Sequence, residues 1–198
     1  MKTKLVRKED MAGKIILGID PGTNILGYSA IRVFKQELKL IEINVLRMEK
    51  TLDHYQKLKS LYEGISAIVQ QFRPDEMAVE SPFFGKNVQS MLKLGRAQGV
   101  AITVALASNV PVFEYSPRKI KQSITGNGNS SKEQVAAMLS QLMKFDHQYL
   151  LLDATDALAV AVCHHFQTKT PQTNEKKVSG WQQFLQQHPD RIHKKKST

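Results

Sequence analysis

One apolar run that ends on a carboxylate constrains the rest of this chain. Residues Lys14-Ile15-Ile16-Leu17-Gly18-Ile19-Asp20-Pro21-Gly22 place a mostly β-branched and aliphatic segment directly before an acid and a turn. With so little polar alternation, 15–19 reads as a strand buried on both faces. Pro21 cannot donate to a sheet ladder and Pro21-Gly22 signals a turn, so the strand stops at Asp20. A lone carboxylate buried there would cost several kcal/mol unless paired or bound to a metal. Alone, Asp20 also suits an Asx turn. The choice between the two depends on whether other carboxylates arrive at comparable places.

The chain of 198 residues is long enough for one domain with a real core. Its 41% hydrophobic and 23% charged residues are those of an ordinary globular protein. No apolar run approaches the ~20 residues of a membrane span, and the basic start lacks the apolar region of a secretory signal. The single cysteine, Cys163, excludes an internal disulfide and a cysteine-based zinc site, and a cytosolic location is expected. The formal charge is +10, unevenly placed. Residues 1–14 and 169–198 are both basic, and 81–144 carries eight Lys/Arg against only Glu114 and Glu133. Such segregation suits either a polyanion-binding surface around an acidic pocket or a solvated basic face.

Three strands are expected near 14–20, 25–34 and 38–47, joined by short connections into an antiparallel meander. Tyr55, Leu58, Leu61, Tyr62, Ile65, Ile68, Val69 and Phe72 then form a helical stripe over 53–72, ended by Arg73-Pro74-Asp75. Met77-Ala78-Val79-Glu80 repeats the opening pattern, a short strand ending on an acid before Ser81-Pro82. A helix over 87–107 contains Gly95 and Gly99, which make sense if another backbone, from the sheet or a second subunit, comes very close. A strand near 110–115, a short basic helix from Ser116-Pro117 to Ile124, a helix capped by Ser130 or Ser131 and a final helix over 153–167 complete the body. His164 and His165 lack metal-site spacing and read as helix-end and surface residues. The fold class is α/β: a mixed five-stranded sheet, its first three strands antiparallel, with helices on both faces. Residues 1–13 are expected to be a basic flexible leader and 169–198 a basic, mostly disordered tail, with one helical piece near Trp181 to Gln187.

A third acidic stretch is Asp153-Ala154-Thr155-Asp156-Ala157-Leu158-Ala159. Asp153 and Asp156 are i and i+3 and share one face of the helix start. Dipole matching and capping would explain both, but the helix beyond them is apolar, as a buried helix would be. Four carboxylates thus stand out: Asp20, Glu80, Asp153 and Asp156. If their elements are neighbours, the cluster repels itself unless cations occupy it. Mg²⁺ suits hard oxygen ligands. Two ions ~4 Å apart can clamp the attacking and leaving oxygens of an in-line displacement at phosphorus. Phosphodiester hydrolysis on nucleic acid is the expected chemistry.

The set Gly18-Ile19-Asp20-Pro21-Gly22, Val79-Glu80-Ser81-Pro82-Phe83 with Lys86-Asn87, Leu94-Gly95-Arg96-Ala97-Gln98-Gly99 and Asp153 to Ala159 closely resembles the RuvC family of bacterial Holliday junction resolvases. The likeness runs from about residue 14 to 167, in order and at family spacing. It implies a ribonuclease H-like fold over 14–168 and a homodimer. It also implies paired symmetric nicks in four-way DNA junctions, and cooperation with the RuvA and RuvB branch-migration proteins. The family's metal-binding, catalytic acids fall on Asp20, Glu80, Asp153 and Asp156. They imply two Mg²⁺ per site, with Mn²⁺ able to substitute. One ion would activate water and the other stabilise the leaving 3′ oxygen. Phe83 matches the family aromatic that stacks on bases near the crossover, although a core role beside Phe84 is open to it. Lys86, Arg118, Lys119, Lys121 and Lys132 fall in the basic region where the family contacts DNA, and each could equally be an unpartnered surface residue.

Two other classes compete. Asp20-Pro21-Gly22-Thr23 resembles the phosphate hairpin of actin-like sugar kinases and ATPases, which need a second lobe that 198 residues do not accommodate. A noncatalytic junction-binding module is the other, but a pure binder has no use for four acids facing phosphate.

Overall fold

The computed structural model describes residues 13–35, 37–81, 87–145 and 152–169. The leader, the tail beyond residue 169, Phe83 and Lys86 lie outside the described residues. In chain order the elements are β1 (Lys14–Asp20), β2 (Ile25–Phe34), β3 (Glu37–Arg47), α1 (His54–Phe72), β4 (Glu76–Glu80), α2 (Val88–Ala107), β5 (Val112–Tyr115), α3 (Pro117–Thr125), α4 (Lys132–Met143) and α5 (Leu152–Lys169). Each strand and helix expected within the described residues is present, with ends shifted by one or two residues, while the helical piece expected near 181–187 lies outside them.

The sheet order is β3-β2-β1-β4-β5. β1 pairs antiparallel with β2, and β2 with β3. β4 pairs parallel with β1, and β5 parallel with β4. Alternation along β1 and β4 sorts side chains onto two faces. Leu17, Ile19, Met77 and Val79 pack with Leu61, Ile65, Ile68 and Val69 of α1 and Ala97, Ala101 and Val104 of α2. Ile16 and Ala78 face the other way, into a cluster with Ile120 and Ile124 of α3, Val135 and Leu139 of α4, and Leu158 to Cys163 of α5. β1 is therefore covered on both sides, as its apolar run demands.

Local chemistry starts and stops the helices. Asp53 caps α1 and exchanges bonds with Gln56 in a capping box, and Arg73 ends the helix in the left-handed conformation (φ 45°). Ser116 caps α3, with Pro117 in its first turn. Ser131 caps α4 through a second capping box with Gln134.

α5 lies against the sheet unusually closely, and two glycines make room for it. A Cβ on Gly18 would stand 2.0 Å from the Ala157 carbonyl oxygen, and one on Gly27 would stand 1.9 Å from the Asp153 carbonyl oxygen. Ser29 Oγ donates to the same Ala157 carbonyl (3.1 Å) in the buried interface. The sheet is not the backbone that approaches Gly95 and Gly99: a Cβ on either meets nothing within 4 Å among the described residues of this chain, which leaves the second subunit of the two expected partners.

His164 and His165 correct a second expectation. Both are buried, at 0% and 4% exposure, in the last turns of α5. His164 Nε2 is hydrogen-bonded to Glu76 Oε2 (2.5 Å) and Nδ1 to the Tyr115 hydroxyl (2.7 Å). With Nε2–H donating to the carboxylate, Nδ1 accepts from the phenol, and the imidazole is satisfied as a neutral ring. Phe113 covers it at 4.4 Å. Burial keeps His164 below the ordinary histidine range despite Glu76, and pushes His165 down to about 4. Partners on β4 and β5, remote in sequence, remove the cost of burying a polar side chain there.

Candidate active site

Asp20 ends β1 and Glu80 ends β4. The two strands are parallel neighbours in a register that runs Ile16 to Glu76 through Ile19 to Val79. Both acids therefore leave the same sheet edge, on the face that carries Gly18 and Ala78. α5 runs across that face from the opposite direction. Its first turn stands over Asp20, because Gly27, the pairing partner of Asp20 on β2, yields to the Asp153 carbonyl. His164, near its other end, reaches Glu76 at the start of β4. The i, i+3 spacing then turns Asp153 and Asp156 toward Asp20. One ligand oxygen from each of Asp20, Asp153 and Asp156 lies within 4.8 Å of the others. Glu80 is outside that tight set but lines the same cleft, of about 180 Å³, with Asp20 and Asp156.

The remaining wall is part apolar and part basic. Pro117 and Ile120 of α3, Val135 of α4 and Ala159 of α5 supply the apolar part, and Lys121 and Lys132 the cations. Lys132 Nζ donates to Asp156 Oδ2. The turn that carries Asp20 is tied down from behind. Asn24 accepts from Lys57 Nζ (2.8 Å) on α1, and its carbonyl accepts from the Met48 amide (3.0 Å).

Electrostatics records the crowding. Burial, then the charges of Glu80, Asp156 and Asp153, push Asp20 up to about 8, against a smaller opposing pull from Lys132. Burial and Asp156 push Glu80 up to about 7, with Lys132 and Lys121 pulling the other way. Burial lowers Lys132, but its bond to Asp156 and the charges of Asp156, Asp20 and Asp153 outweigh that and hold it above the ordinary lysine range. Asp20 and Glu80 are held back from ionising despite Lys132 and Lys121, and further positive charge at the site would relieve them. The donors are carboxylate oxygens, with no thiol or imidazole in the set, which is the chemistry of a hard divalent cation. The residues present fit such an ion.

The basic residues expected to meet DNA divide. Lys121 and Lys132 line the cleft. Arg118 and Lys119 are exposed on α3, outside the cleft lining. Phe83 and Lys86 follow Glu80 but lie outside the described residues. The ion pair from Lys132 to Asp156 and the Glu76–His164–Tyr115 contact escaped sequence reasoning, since each joins elements far apart in the chain.

Comparison with known proteins gives a consistent result. The sequence profile of the family described as "Crossover junction endodeoxyribonuclease RuvC" matches residues 16–164. A protein of that description from Cytophaga hutchinsonii is 55% identical over 179 residues, covering 90% of this chain and 88% of the relative. One from Porphyromonas gingivalis is 50% identical over 183 residues, covering 90% of this chain and 97% of the relative. Among solved structures, T. thermophilus RuvC in complex with Holliday junction substrate superposes with a TM-score of 0.73 at 28% identity, covering 78% of this chain and 94% of that one.

Proposed function

Since the chain belongs to the RuvC family of crossover junction endodeoxyribonucleases, we propose that it is a Holliday junction resolvase that cuts four-way DNA junctions by metal-dependent phosphodiester hydrolysis in recombination and repair. The observation that carries the reading is that Asp20, Asp153 and Asp156 close to within 4.8 Å, while Glu80 joins Asp20 and Asp156 in a cleft with two lysines in its wall. The ribonuclease H-like arrangement places β1 and β4 so that their acids share an edge.

Asp20, Glu80, Asp153 and Asp156 would hold the cations, Mg²⁺ by the hardness of their oxygens, two per site, with Mn²⁺ as a substitute. Cations held there would lower the pKa of a bound water and offset charge on the leaving oxygen. The protein's own contribution is positional. β1 and β4 hold two carboxylates at fixed height, and α5 delivers two more across the Gly18–Gly27 contact. Ile120, Val135 and Ala159 exclude bulk water from one side of the cleft, which strengthens every charge interaction within it. Lys121 and Lys132 draw the phosphodiester to the acids, and Arg118, Lys119 and Lys86 extend that attraction along the backbone. Phe83 stacks on an unpaired base at the crossover, a contact that tolerates any sequence.

A junction has near-twofold symmetry, so paired nicks call for two sites in a homodimer. RuvA and RuvB are the expected partners, and the cytoplasm the expected compartment. No described helix is long and apolar enough to cross a membrane. The direct test incubates the protein with a synthetic four-way junction or a linear duplex of the same sequence, with and without Mg²⁺. Paired symmetric nicks in the junction alone, only with metal, are expected. ATP turnover without DNA, or binding without cutting in Mg²⁺, would replace this reading.

A further inference from the structure

The ammonium of Lys132 sits beside the acidic cluster and bonds a carboxylate that a cation would use. Its Nζ donates to Asp156 Oδ2, and Asp156 belongs to the carboxylate set that closes to within 4.8 Å. The backbone of Lys132 is anchored as the first residue of α4 behind the Ser131–Gln134 capping box. Its side chain is nevertheless 49% exposed, against 15% for Asp156. A fixed root with a four-carbon stem half in water can release its partner and turn outward at little cost.

We propose that Lys132 is an exchangeable counter-ion: it neutralises Asp156 before metal binds, competes with the incoming cation for that carboxylate, and transfers to a DNA phosphate when substrate enters the cleft. Metal loading and phosphate arrival then assist each other. A phosphate in the cleft takes the ammonium and frees Asp156, while a cation on Asp156 frees the ammonium for phosphate. Coupling of this kind is reciprocal. No other basic side chain among the described residues can take this role as directly. Lys121 lines the cleft and acts on Glu80 through its charge, but the ion pair to the metal-site acids is made by Lys132. This deepens the proposed function and rests on it for the DNA step only, since competition with metal takes place in the free protein.

The test is calorimetric. Chelator-stripped protein is titrated with Mg²⁺ as wild type, Lys132→Met, Lys132→Gln and Lys132→Arg, each checked for a cooperative melt. Met and Gln should bind Mg²⁺ about tenfold more tightly than wild type, a difference of about 1.4 kcal/mol, and Arg should not. The titration is repeated on protein saturated with a four-way junction. Ca²⁺ serves as the probe there, and DNA integrity is read on a denaturing gel. DNA should tighten cation binding to wild type and do so much less for Lys132→Met. Equal or weaker Mg²⁺ binding by the Met and Gln variants in free protein overturns the proposal and leaves Lys132 as a DNA contact only. Because that arm contains no DNA, it can fail while wild type still resolves junctions. It can equally succeed when wild type does not cut, in which case only the nuclease reading falls.

Discussion

Replacing Gly27 by alanine adds one methyl group, and the structure says where it must go. The new Cβ would stand 1.9 Å from the Asp153 carbonyl oxygen, 2.6 Å from its carbon and 3.2 Å from the Ala154 nitrogen. All three are backbone atoms of the first turn of α5, so no side chain can swing aside. Ordinary contact at such a Cβ begins at 3.4 Å. The start of α5 must therefore withdraw from β2 by about 1.5 Å, less whatever the strand gives, as overpacked sites do. Overpacking of this size costs about 1–3 kcal/mol of stability. The effect on activity should be larger in proportion, because the withdrawn turn carries Asp153 and Asp156 while Asp20 stays with β1. A misplacement of about 1 Å at reacting groups costs roughly 10²-fold in rate. Urea unfolding measures the first quantity. Single-turnover junction cleavage in Mg²⁺, at a temperature where the variant is fully folded, measures the second. A folded Gly27→Ala protein that cuts within a few-fold of wild type would refute the claim that this contact sets the spacing of the acids.

Three further outcomes are expected. Asp20→Asn should abolish cleavage while junction binding, followed by gel shift, stays equal or becomes tighter, since the substitution cannot add negative charge beside phosphate; lost binding would make Asp20 structural. Stability without metal should fall as pH rises from 6.5 to 8.5. Asp20 at about 8 and Glu80 at about 7 lie above their unfolded values of 3.8 and 4.5, so the folded state holds more protons and loses that advantage as they ionise. Below 6.5 the buried His165, at about 4, and His164 oppose this trend, because they gain protons on unfolding. Melting curves in chelator and in Mg²⁺ check the window, and a slope unchanged by Mg²⁺ would remove the acids as its source. Phe83→Ala should weaken cutting more than binding, by about 1–3 kcal/mol of lost stacking; a variant that fails to fold would put Phe83 in the core.

The strands and their acids were legible because local chemistry repeats: an apolar run, a carboxylate, then a proline that cannot extend the ladder. The α1 residues Leu61, Ile65, Ile68 and Val69 and the Ser131 cap were legible for the same reason, each depending on neighbours within a few residues, although Tyr55 and Tyr62, read into the same stripe, are exposed. The histidines were not. At the end of an apolar helix they read as an exit to solvent, and only Glu76 and Tyr115, from other strands, make burial of His164 tolerable. The glycines that admit α5 were not legible either. Gly95 and Gly99 attract notice inside a helix, yet nothing described approaches them, while Gly18 and Gly27, inconspicuous in strands, admit the backbone of α5.

Local pattern determined which residues could carry the chemistry and the secondary structure that presents them, and the resemblance of the motifs pointed to the family. They could not determine the distances between acids separated by as many as 136 positions, or that Lys132 would close on Asp156. Those depend on how near one helix can lie to a sheet. That nearness is decided by the two missing methyl groups at Gly18 and Gly27 and by the packing of both layers around β1.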